Sequence, residues 1–226
     1  MIKIENTDVL GWEHAIRGMR NPLNSWDKSD SGLCTMSGNY QCNDCKRGVS
    51  DFCIGNNDLD LMKRLAGAGS DHAKYRRMII VYADVTAPLY WWKEYDTYKV
   101  GTVANSCSTM HKIQDKEFTL EDFSIEHLKD FERGAFTELV YILNVNRIDY
   151  LHAKKNGADG HTLKSYWWHM IQLLPSSYNQ RRTVQLNYEV LANMYHSRKS
   201  HKLDEWREFC KWVESLPYSE LITGGK

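Results

Sequence analysis

Leu174-Pro175 is followed by Val184-Gln-Leu-Asn-Tyr-Glu-Val-Leu-Ala-Asn-Met-Tyr-His-Ser-Arg198, and then by Glu205-Trp206-Arg207. Eleven residues separate Pro175 from Asn187, and ten separate Asn187 from Arg198. The stretch from Val184 to Arg198 has no internal Gly or Pro and carries apolar residues at helical spacing. It reads as one helix, 184–199, starting a turn or two after Pro175. An offset of eleven is close to three turns, which puts Asn187 and Arg198 on nearly the same face, roughly 16 Å apart. Leu191 and Met194 lie between them. An amide and a guanidinium so placed could grip two ends of an extended polar ligand. The plainer reading makes Asn187 a helix-start residue and Arg198 a C-terminal cation favoured by the helix dipole.

Outward from this stretch, the chain alternates helical and extended patterns. Residues 1–5 alternate and read as a short strand. Residues 12–20 read as a short helix stopped near Asn21-Pro22. Residues 24–56 are rich in Ser, Asp, Asn, Gly and Cys and read as a long loop. Residues 58–68 have helical periodicity with Asn57 as its cap. Residues 78–85 are β-branched and apolar and form the best strand. Residues 89–98 are aromatic and helical, and 101–108 are a loop of small residues. A Thr119-x-x-Asp122 capping box opens a long helix over 120–152. A polar turn at 155–160 precedes helices over 161–173, 184–199 and 203–216. The expected fold is α+β, helix-dominant, with a small antiparallel or mixed sheet and a Cys-rich insert near 30–55. The length of 226 residues and 42% apolar content fit one domain over 1–226 with a sizeable core.

Charge balance narrows the function. The formal net charge is zero, which argues against a general DNA- or RNA-binding surface. Met1-Ile-Lys-Ile-Glu lacks the charged-then-apolar pattern of a signal peptide. No apolar run approaches membrane-spanning length, so a cytoplasmic protein without a membrane partner is expected. The eight Trp and thirteen Tyr cluster at Tyr90-Trp91-Trp92, Tyr95, Tyr98 and Tyr166-Trp167-Trp168. Such rings serve a core or a subunit interface, or, as the sharper reading, stack on a planar cofactor or base.

Cys34, Cys42, Cys45 and Cys53 form a C-x7-C-x2-C-x7-C pattern. Four thiolates fit a closed, structural tetrahedral zinc, and the central C-x2-C is a common knuckle spacing. Free thiols or an adventitious disulfide are the alternatives.

The C-terminal run resembles the signature of the flavin-dependent thymidylate synthases, the ThyX family. That family carries a Leu-Pro, an Asn at this distance, an Asn-x-x-x-Leu-x-Asn helix, an Arg, and then a Glu-x-Arg/Gln pair. Here these are Leu174-Pro175, Asn187, Leu191, Asn193, Arg198 and Glu205-Trp206-Arg207. The first two intervals match without a gap and the last is about one residue short. The resemblance covers the last quarter of the chain well and the middle weakly.

The resemblance implies reductive methylation of dUMP or a related pyrimidine nucleotide, with FAD and methylenetetrahydrofolate, by a homotetramer with shared active sites. It implies that Arg198 polarises the base, that Asn187 and Asn105 bond the flavin or ribose, and that Ser108 lies beside the nucleotide. Asp71-His72 resembles the family's acidic-His pair, which places His72 with the cofactor. The family's Arg-His-Arg triplet is absent. Its closest counterpart is Thr97-Tyr98-Lys99, with Lys99 in the second arginine's place, and the family's phosphate-holding Arg corresponds to Ile171. Arg181, Arg182, Lys93 and Lys112 are candidate replacements. Cys107, beside Ser108, reads as a packed thiol. These losses define the alternative: a nucleotide- or flavin-binding or regulatory protein on the same fold. A third reading is an assembly protein whose aromatic clusters serve only oligomer contacts.

Overall fold

The computed structural model describes residues 1–33 and 52–224. In chain order the elements are β1 (Lys3–Leu10), α1 (Trp12–Arg20), β2 (Gly32–Leu33), β3 (Phe52–Cys53), α2 (Asn56–Gly67), β4 (Ile80–Pro88) and α3 (Leu89–Tyr95). Then come β5 (Val103–Ser106), α4 (Thr109–Lys112), α5 (Asp130–Lys155), α6 (Gly160–Leu173), β6 (Asn179–Asn187), α7 (Tyr188–Arg198), α8 (Asp204–Glu214) and α9 (Glu220–Thr223). The class is helix-dominant α+β. A four-stranded sheet runs in the order β1-β4-β6-β5, and β2 and β3 pair antiparallel as a separate two-stranded sheet. No helix among the described residues is long and apolar enough to cross a membrane.

The chain forms two compact units. The first comprises residues 1–3, 86–95 and 106–182. Its core gathers Phe118, Phe123, Val140, Leu143 and Met170, with Phe136, Trp167 and Tyr178 packed against them. The long helices α5 and α6 supply much of this cluster. At the start of α5 the Glu132 carboxylate accepts the Lys129 N–H at 2.8 Å, and at the start of α6 Asp159 accepts the Thr162 N–H at 2.9 Å. Each satisfies a donor that the first helical turn leaves open. Trp91, Trp92 and Tyr95 are buried and mutually edge-on or tilted at 4.8–5.2 Å.

The second unit comprises residues 4–85, 96–105 and 183–226 and contains most of each strand of the main sheet. In α1 the buried positions are Trp12, Ala15, Ile16, Met19 and Arg20, the i, i+3, i+4, i+7, i+8 pattern of a helix lying on a core. Gly11 caps it with φ +93°, and a Cβ there would stand 2.1 Å from the Met78 carbonyl oxygen. Only glycine meets both demands. Trp12 packs edge-on against Tyr188 and Tyr218, each at 5.3 Å.

One ionic group is sealed inside this unit. Asp58, 0% exposed, accepts Arg20 Nε at 2.6 Å, Ser29 Oγ at 2.7 Å, Ser31 Oγ at 2.6 Å and the N–H groups of Asp30 and Ser31 at 3.2 Å. Burial pushes its carboxyl pKa up, but the hydrogen bonds from Ser31, Ser29 and Arg20 and the arginine's charge outweigh it, and the net shift is downward.

Four element expectations are corrected. Residues 184–187 are strand, not helix. Thr183-Val-Gln-Leu alternates, Val184 and Leu186 are buried on one side of β6, and α7 begins only at Tyr188. Residues 103–106 are a strand rather than loop. The Thr119–Asp122 capping box is present, but it closes only a 3-10 turn at 120–122; α5 starts at Asp130. Asn57 does not cap α2. Asp30 does so from a distance, accepting the Asn57 N–H at 2.9 Å and the Asp58 N–H at 3.1 Å.

Candidate functional site

Two signature residues stand at the two ends of α7, in the second unit. Asn187 is the N-cap: its Oδ1 accepts the Val190 N–H at 2.9 Å. It does not share a helical face with Arg198, because its own backbone is extended. The cap uses the acceptor half of the amide and leaves Nδ2 as a donor. Gly101 lies close by with φ +80°, and a Cβ on it would stand 2.6 Å from Asn187 Nδ2. The glycine therefore permits a close approach of backbone to amide. Gly101→Ala should destabilise the protein by about 1–3 kcal/mol through its left-handed backbone and this clash. Asn187→Ala should cost about 1 kcal/mol as a lost cap. Both are read by denaturant unfolding, and a change below 0.3 kcal/mol in both would contradict the geometry.

Arg198 occupies the last turn of α7, half-buried. Its Nε donates to the Tyr98 hydroxyl at 2.9 Å, and its guanidinium lies 4.7 Å from the Trp206 ring and 5.5 Å from the Tyr98 ring. Trp206 is fully buried at the start of α8, so the stacking surface is fixed. The turn between α7 and α8 is also tied. His201 N–H donates to the Arg198 carbonyl at 2.9 Å, and Arg207 Nη1 donates to the His201 and Lys202 carbonyls at 2.8 and 3.0 Å. A guanidinium stacked on an indole and hydrogen-bonded at Nε is held in a fixed plane and direction. Glu205, one residue before Trp206, is buried at 5% exposure.

The other expected residues of this unit lie on its surface. Lys99 is exposed beyond α3, Asn105 is exposed in β5, and His72 is exposed ahead of the 3-10 turn over Ala73–Met78. Asn187, the last residue of β6, and Arg198, the last of α7, are joined by that one helix.

Ser108 belongs to the first unit. It is exposed and caps the short α4, its Oγ accepting the His111 N–H at 3.0 Å. Cys107, expected to be packed, is exposed; its N–H donates to the Arg181 carbonyl at 2.9 Å and its carbonyl accepts from Gln180 Nε2 at 2.9 Å. Among the candidate replacement cations, Arg182 lies 4.1 Å over the Trp92 ring and bonds Gln180 Oε1 at 2.9 Å, while Lys112 pairs with Asp115 at 2.9 Å. Arg181 and Lys93 are exposed. Ile171 packs against the core of this unit, so the position of the family's phosphate arginine is spent on apolar burial.

Cys34, Cys42 and Cys45 lie outside the described residues. Cys53 is half-buried in β3. Among the described residues no group of His, Cys, Asp or Glu is arranged to hold a metal ion.

With this geometry in view, the solved structures decide the architecture. The chain is similar to the crystal structure of thymidylate synthase X (ThyX) from Helicobacter pylori with FAD and dUMP. The TM-score is 0.65 with 16% sequence identity, over 100% of this chain and 99% of that one. It is similar in the same way to flavin-dependent thymidylate synthase ThyX from Helicobacter pylori complexed with FAD and dUMP. There the TM-score is 0.64 and identity 16%, over 98% of each chain. The fold is that of ThyX. No family model and no curated protein matches the sequence. The ThyX fold is thus carried end to end by a sequence that shares about one residue in six with these neighbours.

Tyr98 and Trp206 are the site residues that the sequence reading passed over. Both were visible, one inside the counterpart of the Arg-His-Arg triplet and the other as the middle residue of Glu205-Trp206-Arg207. Only their contacts with Arg198 show that they orient it.

Proposed function

We propose that this chain is a flavin-dependent thymidylate synthase-like protein, acting as one domain over 1–226 in the reductive methylation of dUMP or a related pyrimidine nucleotide. The observation that carries the reading is Arg198, pre-oriented by Tyr98 and Trp206 at the end of a helix capped by Asn187, within a ThyX fold spanning the whole chain. Both similar structures hold FAD and dUMP.

The donor set suits flat, polar ligands. Asn187 Nδ2 is a donor left over from a cap, and the planar guanidinium of Arg198 suits a pyrimidine carbonyl. FAD, when bound, supplies the reducing equivalents, and methylenetetrahydrofolate the one-carbon unit; the protein has no covalent chemistry to perform. In this proposal Arg198 holds and polarises the base, Asn187, Asn105 and His72 serve the flavin, and Lys99 and Ser108 serve the nucleotide. The assembly is a homo-oligomer, a homotetramer by resemblance.

A second reading has its own support. Ile171 in the core, Lys112 neutralised by Asp115 and Arg182 stacked on Trp92 leave fewer cations for a phosphate than the family pattern supplies. On that reading the protein binds a nucleotide or flavin without turning it over.

Thermal unfolding with FAD, dUMP and other nucleotides separates the readings. A ligand at 100 times its Kd should add about 2.7 kcal/mol of stability. The first reading expects stabilisation by both FAD and dUMP, together with tritium release from labelled deoxyuridylate. The second expects stabilisation without turnover. No response to FAD or any nucleotide contradicts both.

A further inference from the structure

The turn at 107–112 lies on the surface, yet it is held from below. Its helix, α4, has four residues and none of them is buried. A helix of that length does not hold itself in water. Cys107, Ser108, Met110 and His111 are all exposed, so the segment buries little apolar surface of its own. Its order has to be supplied by other parts of the chain.

Three side chains supply it, each donating to a main-chain carbonyl of the turn. Gln180 Nε2 donates to the Cys107 carbonyl at 2.9 Å, Trp167 Nε1 to the Met110 carbonyl at 2.8 Å, and Gln114 Nε2 to the His111 carbonyl at 3.0 Å. All belong to the first unit. Gln180 and Gln114 are themselves buried, at 8% and 7% exposure. Gln180 is fixed in turn. Its Oε1 accepts Arg182 Nε at 2.9 Å, and its main-chain carbonyl accepts the indole N–H of the buried Trp92 at 2.9 Å. The amide therefore has one direction, oxygen to Arg182 and nitrogen to Cys107. Arg182, lying over the Trp92 ring, acts here as the group that orients Gln180. The Cys107 N–H also donates to the Arg181 carbonyl, so Cys107 is gripped through both of its main-chain groups.

A segment that buries so little gains no core packing from this rigidity. What the rigidity fixes is the direction of the groups the turn presents. Ser108 directly follows the doubly held Cys107. Its Oγ accepts the His111 N–H as a cap, and a hydroxyl carries one further donor, its own O–H. A donor held in one direction by buried supporting residues meets a ligand without the ordering cost of a mobile loop.

We infer that Gln180 is a positioning residue for nucleotide binding: it sets the main chain at Cys107 so that the Ser108 hydroxyl meets the ligand, while Trp167 and Gln114 hold the far end of the turn. This role rests on Ser108 as the nucleotide contact proposed above, and it names the residues that act through Ser108.

Equilibrium dialysis of dUMP and of FAD against the full chain tests it, alongside amide hydrogen exchange without ligand. Gln180→Met keeps the length of the side chain and removes both of its side-chain hydrogen bonds. Trp167→Phe keeps a ring and removes only the N–H donor. Each is expected to raise the dUMP dissociation constant about fivefold to tenfold and to change that of FAD by no more than about twofold. Gln180→Glu keeps an acceptor for Arg182 but, ionised, has no donor for the Cys107 carbonyl, so it should behave as Gln180→Met does. In all three, exchange over residues 107–112 should quicken while α5 and α6 exchange at the native rate, which a general loss of stability does not produce. If Gln180→Met fails to fold, Trp167→Phe carries the comparison. A native chain that binds no dUMP overturns the reading of Ser108 and this role together. A native chain that binds dUMP, with the same affinity in the folded variants, overturns this role alone. Variants that lose FAD and dUMP equally also overturn it, leaving Gln180 a structural part of the fold.

Discussion

Asp58→Ala is expected to cost about 3–5 kcal/mol of folding stability, the loss associated with stranding one partner of a buried ion pair. The carboxylate is 0% exposed and Arg20 4%, so the mutation leaves a guanidinium in the interior with its main counter-charge gone. It also orphans the Ser29 and Ser31 hydroxyls and the N–H groups of Asp30 and Ser31, all of which converge on Asp58. For that reason an apolar replacement of the pair, Arg20→Met with Asp58→Leu, should recover only part of the loss: the four other donors still find no acceptor. Against a total of about 5–15 kcal/mol, the single change consumes a large share. Chemical denaturation measures it, and a cost below 1 kcal/mol would contradict the assignment.

The same group gives the protein an acid limb. The folded-state pKa of Asp58 lies below its ordinary value, so its stabilisation is fully present above the unfolded pKa of about 3.9 and is lost as pH falls through the folded value. Stability measured from pH 6 downward should therefore decline more gently in Asp58→Asn than in the native protein, from a lower starting point.

The second large effect concerns Arg198. On the proposed function, Arg198→Ala should lower turnover of deoxyuridylate by about 10²–10³-fold, the range for deleting one preorganised donor that faces developing charge. Arg198→Lys should rescue little of it. A lysine cannot donate from an Nε to Tyr98 while presenting further donors in a fixed plane, and it stacks less well on Trp206. Tyr98→Phe removes one hydrogen bond of the orienting pair and should have a smaller effect in the same direction. If ligand binding and activity both survive Arg198→Ala, the functional reading of α7 fails.

Much of this fold is legible in the chain because its helices carry local instructions. Residues 12–20 form the helix the periodicity predicts, and residues 58–68 coincide with α2 to within two residues. The failures share a cause. In 184–187 the apolar residues satisfy both a helical and an alternating pattern over so short a run, and the pairing of β6 within the sheet decides between them. Val103-Ala-Asn-Ser106 has no apolar stripe at all and becomes strand through its place at the sheet edge, beside β6. At 120–129 a genuine capping box starts only a single turn, because Phe123 is extended and bridges Tyr178, and the buried Phe123 and Ile125, two residues apart, do not share a helical face.

The candidate site divides the same way. Asn187 and Arg198 are readable because their roles at the two ends of α7 need only helix-terminal chemistry. Tyr98 lies a hundred residues from Arg198 in sequence, and its part in orienting that arginine is a tertiary fact. Ile171 shows the reverse: a position expected to bind phosphate reads as a lost function in sequence and as a packed core residue in the structure.

The central claim is that this ThyX fold holds a flavin beside Asn187 and Arg198. Its most direct test is the visible absorption spectrum of the full chain after incubation with FAD and removal of unbound flavin. The account predicts protein-bound flavin bands in stoichiometric amount that are perturbed when dUMP is added, with that perturbation lost in Arg198→Ala. A colourless protein that retains no FAD would contradict it.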